Sequence, residues 1–365
     1  MPYPREFFFL GVFYVSVMKM NDLASMTLEQ LREWFVQNGH KAFRAQQVFK
    51  WIHGRCVKSF DEMTDLSKAL RTRLEQTSPL RPPKILDEVR SSDGTIKFLL
   101  SVHGGQSIEA VWMPDTKRRT LCVSTQAGCA MGCEFCATGT MGLMRSLTAG
   151  EICGQVETVT RRLRSPAMPR PVSNVVFMGM GEPLANLDST ICAVEILLDD
   201  TGMGLSRRHI TVSTIGLVPA MEEFAKRSPV KLAVSLNATT DEVRDKIMPI
   251  NRRFPLNVLL KACRNLPLHG ADRITFEYVM LAGINDSLQD ANRLARLLNG
   301  IRCKVNLIPY NPTEGLGFER PTDQNIHAFQ DALIAKDLSV FIRRSRGVDK
   351  HAACGQLVTS NRRRG

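Results

Sequence analysis

Apolar positions in the first eighty residues recur at helical spacing. Thr27-Leu28-Glu29-Gln30 has the form of a capping box, and Leu28, Leu31, Trp34 and Phe35 follow on one face. Further helices are predicted over residues 43–53 and 67–76 before Thr77-Ser78-Pro79 and Pro82-Pro83 break the pattern. From residue 84 to 114 the period changes to two. Ser92-Asp93-Gly94 separates two alternating segments, a hairpin signal, and residues 107–113 read as a further strand. Beyond that point strands and helices alternate. Strands are predicted over 119–125, 174–178, 209–214, 231–236, 274–280 and 304–308, and helices over 148–163, 187–198, 217–225, 254–266 and 286–298. Thr148 and Glu151 give the first of these helices a second capping box, and a helix (322–335) and a strand (339–343) follow the last.

Six strand–helix units predict an α/β protein with a parallel sheet, either doubly wound or curved into a barrel. Short loops and regular alternation favour a partial (β/α)6 barrel with a small N-terminal helical domain and a β-hairpin extension. In such a barrel the chemistry gathers at the C-terminal strand ends. The pattern divides the chain into an overextended start or disordered leader (1–20), a helical accessory domain (21–83), a hairpin extension (84–118), the barrel (119–338) and a C-terminal strand with a basic segment (339–365).

Composition narrows the class. Of 365 residues 44% are hydrophobic and 23% charged, which excludes wholesale disorder. The apolar run at residues 7–18 is too short to span a bilayer, and no small-residue cleavage site follows it before Lys19. The expectation is a start at Met18 or Met20 and a reducing, cytoplasmic location without a membrane. The net charge is +12. Residues 1–85 carry 13 basic and 8 acidic side chains, residues 86–338 carry 28 and 27, and residues 339–365 carry 7 and 1. The charged ends are either solubilising tails or phosphate-binding surfaces flanking a neutral body.

Three of the ten cysteines stand as Cys129-Ala-Met-Gly-Cys133-Glu-Phe-Cys136, just past the first predicted barrel strand. Three thiolates on one tight loop, with Gly128 and Gly132 freeing the backbone, suit a soft metal or a cluster. A zinc site completed by Cys122, Cys153 or a histidine is the bland alternative, although zinc sites usually pair two C-x2-C units and no second unit exists here. An iron–sulfur cluster with one open position fits better. The next strand ends in Met178-Gly179-Met180-Gly181-Glu182-Pro183, where small residues permit close approach and Glu182 offers an acceptor to an ammonium group. Ser213, Ser235 and Asn311 also stand at or after C-terminal strand ends. Each alone reads as a cap.

These features resemble the radical S-adenosylmethionine (SAM) superfamily. Together with Leu121-Cys122-Val123-Ser124 and Ala352-Ala353-Cys354-Gly355-Gln356-Leu357, the chain resembles the RlmN/Cfr family of RNA methyltransferases over residues 26–358. The resemblance implies a [4Fe–4S] cluster on Cys129, Cys133 and Cys136. SAM contacts would come from Gly181, Glu182, Ser213, Ser235, Leu236, Asn237 and Asn311. It further implies C2 methylation of adenosine in 23S rRNA and tRNA, with two SAM per turnover. Cys354 would carry the methyl group, the RNA would be tethered to it covalently, and Cys122 would resolve that tether by forming a disulfide. Glu109 would accept the C2 proton. A flavodoxin-type electron donor and a monomeric state complete the expectation.

The chain departs from the family pattern at Asn237, where histidine is common. C8 methylation of ribosomal RNA, or activation of a protein substrate, are the alternative activities, and a zinc and RNA-binding protein is the non-catalytic one. Read without the resemblance, Cys354 and Cys122 suit buried thiols, Glu109 suits an exposed strand position, and Cys56, Cys153, Cys192, Cys263 and Cys303 suit packing. The basic ends offer Arg343, Arg344, Arg346 and Lys350 beside Cys354, and Lys41, Arg44, Lys50, Arg55 and Lys58 on the N-terminal helices. His53 is a candidate for base stacking, whereas Trp51 is expected in the core.

Overall fold

The computed structural model describes residues 22–359; the predicted leader, with Met18 and Met20, lies outside the described residues. The N-terminal unit contains α1 (Leu28–Gln37), α2 (Phe43–Phe49) and α3 (Lys68–Thr77). Its first capping box forms: Thr27 Oγ1 accepts from Gln30 N at 3.3 Å, and Gln30 Oε1 accepts from Thr27 N at 3.0 Å. The helix predicted over 43–53 ends differently, because α2 passes into a π-helical turn at Lys50–Gly54. Trp51 is buried, as its spacing predicts, and donates to Asp65 Oδ1 at 2.6 Å. His53 is not available for stacking on RNA. It is 1% exposed, and its Nδ1 lies 2.6 Å from Glu157 Oε1, so this polar pair is spent joining the helical unit to the barrel.

Strands β1 (Lys84–Arg90), β2 (Ile96–Ser101) and β3 (Ser107–Pro114) form an antiparallel meander that pairs with β4 (Arg119–Cys122). The stretch 119–125 is not one strand. After β4 both Thr125 N and Gln126 N donate to Met180 O, which draws the chain away from the main sheet. It then forms β5 (Gln126–Cys129), paired with β6 (Gly142–Ser146) in a separate two-stranded sheet. A one-turn helix, α4 (Ala137–Thr140), lies between them.

The main sheet continues through β7 (Asn174–Phe177), β8 (Ile210–Thr214), β9 (Lys231–Ser235), β10 (Ile274–Met280), β11 (Cys303–Pro309) and β12 (Val340–Ile342). Its order is β1-β2-β3-β4-β7-β8-β9-β10-β11-β12, and every pairing from β4 to β12 is parallel. A doubly wound sheet needs a reversal of strand order. The order here never reverses, so right-handed crossovers keep the helices on one side and the sheet curves into a partial barrel.

The crossover helices are α5 (Ala149–Leu163), α6 (Leu187–Leu198), α7 (Val218–Arg227), α8 (Asp241–Ile247), α9 (Leu256–Asn265), α10 (Leu288–Leu298) and α11 (Asp323–Ile334). Helix α5 is buried from Ala149 to Thr160, because the sheet covers one face and the N-terminal unit covers the other. Its capping box also forms, with bonds of 3.0 and 3.2 Å between Thr148 and Glu151. Helix α8 was not legible: Asp241-Glu242-Val243-Arg244-Asp245-Lys246 reads as a polar loop.

Candidate functional site

A cavity opens at the C-terminal ends of the parallel strands, where the barrel rule locates the chemistry. Met178 after β7, Ser213 on β8, Ser235 on β9, Val279 on β10, Ile308 on β11 and Arg343 after β12 line it. Cys122, Cys129, Cys133, Cys136, Gly181, Glu182, Asn237, Asn311 and Cys354 line the same space. Cys122 and Cys354, far apart in the sequence, thus share one cavity, and each thiol lies within the electrostatic reach of groups around the other.

The cysteine loop leaves β5 at Cys129, and Gly128 and Gly132 both take positive φ. Burial pushes the Cys129 thiol up to about 11 and raises Cys133 and Cys122 further. Left alone these thiols keep their protons; a soft metal bound as thiolate would displace them. Among the described residues no three His, Cys, Asp or Glu side chains close around a single ion. The three thiols line one cavity, and three soft donors on one loop are a donor set that fits an iron–sulfur cluster with one open position. The cysteines available to complete zinc divide: Cys122 faces the cavity, whereas Cys153 is buried in α5 with its Sγ donating to Ala193 O at 3.5 Å. Cys56, Cys263 and Cys303 are also buried, and Cys192 donates to Ser25 O at 3.1 Å.

The glycine-rich strand end serves the protein as well as any ligand. Gly181 has φ +94°, and a Cβ there would stand 2.5 Å from Gln126 Cβ. Glu182 is 2% exposed and accepts from Leu184 N at 3.0 Å and Ile215 N at 2.9 Å. Burial outweighs those bonds and pushes its pKa up to about 7. Asn237 has φ +57°, a backbone position that asparagine tolerates better than most residues. Its Oδ1 accepts from Val279 N at 2.8 Å, so the side chain ties the end of β9 to β10. Leu236 is fully buried and is not among the residues lining the cavity. Its carbonyl accepts from Arg244 Nε at 3.0 Å.

The segment bearing Cys354 is fastened from three directions. Ala137 N donates to Gly355 O at 2.8 Å and Thr138 Oγ1 to Leu357 O at 2.6 Å, which joins it to the cysteine loop. Asn311 Nδ2 donates to Cys354 O at 3.3 Å, and Gln356 Nε2 to Pro312 O at 2.8 Å. From the meander, Lys97 Nζ donates to His351 O at 3.2 Å, and Glu109 Oε2 accepts from Val358 N at 3.0 Å. Cys354 is exposed by surface area, and it faces the cavity. The surrounding protein nonetheless raises its thiol pKa by desolvation, with Arg343 opposing the rise.

Glu109 is not an exposed strand residue. It is 5% exposed and pairs with Lys97 Nζ at 3.0 Å, and it is not among the cavity's lining residues. Burial raises its carboxyl pKa, while Lys97 and the Val358 N–H lower it. Two residues in and behind this site escaped the sequence reading. Glu277 lines the cavity with Oε1 accepting from Asn306 Nδ2 at 2.9 Å; its place on the inward period of a predicted strand was the available signal. Arg244 is fully buried and donates to Leu236 O, Ser235 O and Ile215 O, bracing the ends of β8 and β9. Nothing in its charged surroundings distinguishes it from a surface arginine.

Comparison with known proteins accounts for this arrangement. The Ribosomal RNA large subunit methyltransferase N-terminal domain matches residues 21–79, and the Radical SAM superfamily matches residues 123–297. A dual-specificity RNA methyltransferase RlmN of Anaeromyxobacter dehalogenans (strain 2CP-C) is 53% identical over 340 residues, 92% of this chain and 91% of that protein. The chain belongs to the RlmN family. A further member, from Geobacter sulfurreducens (strain ATCC 51573 / DSM 12127 / PCA), is 51% identical over 93% of this chain and 92% of its own length. The crystal structure of a radical SAM methyltransferase from Sphaerobacter thermophilus superposes with a TM-score of 0.88 at 46% identity, covering 92% of this chain and 99% of that one. RlmN membership makes the chain a radical SAM RNA methyltransferase and implies a [4Fe–4S] cluster and SAM. Among the described residues no helix is long and apolar enough to cross a membrane.

Proposed function

We propose that this chain methylates C2 of adenosine in 23S rRNA and in tRNA next to the anticodon, using two SAM per turnover. The observation that carries the reading is the Cys354 segment bonded to the cysteine loop across a cavity that also holds Cys122. Adenine C2 lies between two ring nitrogens and has no lone pair with which to attack a methylsulfonium, so direct polar transfer fails. Cys129, Cys133 and Cys136 would hold the cluster, and Gly181, Glu182, Ser213, Ser235, Asn237 and Asn311 would surround SAM, with Leu236 supporting them from the core. When bound, these groups supply a methyl group and a 5′-deoxyadenosyl radical.

Cys354 would take the methyl group as its thiol gives up a proton, and would then lose one methyl hydrogen atom to the deoxyadenosyl radical, which leaves a carbon radical beside its sulfur. That radical adds to C2; the tethered base then gives up the C2 proton to Glu109 and one electron, which would return to the oxidised cluster on Cys129, Cys133 and Cys136. In this reading Glu109 comes within reach when the Val358 end of the segment shifts. Cys122 gives up its proton and attacks the Cys354 sulfur; the C–S bond breaks, the C2 methylene leaves with the bonding pair and takes up a proton, and a disulfide and the methylated base result. The target adenosine must be unpaired or flipped for C2 to be reached. The helical unit (21–83) and the hairpin (84–118) serve as RNA-facing additions to the barrel (119–338), and the C-terminal part (339–365) delivers the carrier cysteine. A cytoplasmic monomer reduced by a flavodoxin-type donor suits this chemistry.

The test is mass spectrometry of tryptic peptide 351–362 from protein produced with cluster-assembly machinery. A CH2 increment on Cys354 is expected, and Cys354→Ala should yield no methylated RNA. An unmodified thiol in cluster-loaded protein supplied with SAM, or methylation by Cys354→Ala, overturns the reading.

A further inference from the structure

The near-neutral charge of residues 86–338 conceals a strong polarity along the barrel axis. The segments that lead into β4 and β7–β12, with the first strand residues, are 115–119, 164–174, 199–209, 228–231, 266–273, 299–304 and 335–340. They hold 12 Lys and Arg against 5 Asp and Glu, or +7. The rest of 86–338 is therefore −6, so the positive charge of the body is concentrated at the N-terminal strand ends, opposite the cysteine loop.

Five cations form the centre of this collar: Arg118, Arg208, Lys231, Arg273 and Lys304. Parallel register sets their strands side by side, with Thr211 opposite Lys231 and Thr275 opposite Lys304. Lys231 Nζ donates to Arg208 O at 2.7 Å, and Arg273 donates to Ser339 Oγ at 3.2 Å. Among the described residues none of the five has a carboxylate within ion-pair distance; Asp272 is engaged by Arg207 instead. Burial depresses both lysine pKa values and neighbouring cations add to it: Lys304, Arg118 and Arg208 act on Lys231 against Asp272, and Arg343, Arg118 and Arg273 act on Lys304 against Glu277. Among the described residues the cations outnumber the two carboxylates within electrostatic reach and none is directly ion-paired, a gathering of like charge that costs energy and that a polyanion relieves. Arg343 also lines the catalytic cavity, so positive charge runs from the cavity to the collar.

We propose that this collar is a second RNA-backbone surface, which takes phosphates of the duplex arm flanking the target adenosine while the C-terminal arginines hold the target loop. The proposal rests on the RNA-methylating function above. An acidic electron-donor protein is the competing occupant of a basic surface. A donor must approach the cysteine loop, and a five-residue strand places the collar about 17 Å from that end. Phosphates of an extended RNA arm carry no such constraint.

The experiment compares the cluster-loaded wild type with the variant Arg118→Gln, Lys231→Gln, Arg273→Gln, Lys304→Gln in binding full-length tRNA over a series of salt concentrations. At least a tenfold loss of affinity near physiological salt is expected. The slope of log K against log salt should flatten by roughly 0.7 to 0.9 for each phosphate that is no longer neutralised. The CH2 increment on Cys354 should persist. Acetylation rates of Lys231 and Lys304 in the wild type give a readout independent of any folding defect, and added tRNA should slow both. Unchanged tRNA affinity and slope in a folded variant, or unprotected lysines in the wild-type complex, overturns the proposal. So does normal RNA binding with impaired reduction by an acidic flavoprotein. Failure of the wild type to bind or methylate any RNA is a separate outcome, and it overturns the functional reading beneath.

Discussion

Cys122 and Cys354 have different surroundings, and the chemistry asked of them differs accordingly. Cys354 faces the cavity on a segment held by main-chain and side-chain bonds, whereas Cys122 is buried at the end of β4 with its thiol pKa strongly raised by desolvation. A resolving thiol held protonated does not attack prematurely. Cys122→Ala should therefore load methyl on Cys354 and add it to RNA but fail to release the product. Denaturing electrophoresis should show a protein–RNA band of increased mass, and its absence would argue against the resolving role. As the proposed base Glu109 can accept a proton only as a carboxylate, so its raised pKa should move the onset of activity to higher pH. Lys97 opposes that rise at 3.0 Å. Lys97→Met should displace the acid limb of the pH–rate profile further toward alkaline pH, while Glu109→Gln should retain S-methyl loading and lose turnover. The spacing of Cys129, Cys133 and Cys136 was enough to mark them as a metal or cluster candidate, and the structure brings all three to one cavity. The burial of Glu109 was not legible, because its ion pair and its bond to Val358 span distant segments.

Helix α5 illustrates how far a local pattern reaches. Its start, capping box and length could be read from sequence, yet its interior glycines look like defects in a helix. The fold supplies the reason at Gly154, where a Cβ would stand 2.5 Å from Pro83 Cδ. Alanine should gain about 1 kcal/mol in helix propensity but must move a proline ring at the junction between helical unit and hairpin, an overpacking cost of roughly 1–3 kcal/mol. Gly154→Ala is expected to lower the melting temperature despite the better helix former; an increase would show that Pro83 yields freely. The same limit applies to β5 and α8. The strand-like run across 119–125 gave no hint that Met180 O would draw the chain out of the sheet. The buried role of Arg244 depends on carbonyls at the ends of two other strands.

At the scale of the molecule, the alternation of strands and helices predicted the barrel because its topology follows chain order. Charge was less legible, since a running sum along the sequence averages cations at one end of every strand with acids elsewhere. The joint between helical unit and barrel was also hidden, because His53 read as a stacking candidate. The structure commits it instead to Glu157 on α5, against Phe49 with ring centroids 4.5 Å apart. If that buried pair fixes how the unit sits on the barrel, Glu157→Ala leaves the His53 Nδ1 without its partner at a cost of about 1–3 kcal/mol. The loss should fall on the docking of the helical unit more than on the barrel core. Limited proteolysis should accelerate within 77–83, and tRNA affinity should fall while the proposed S-methylation of Cys354, which in that reading draws only on the barrel and its C-terminal segment, should proceed. Equal loss of both activities would show instead that helical unit and barrel stand or fall as one cooperative body.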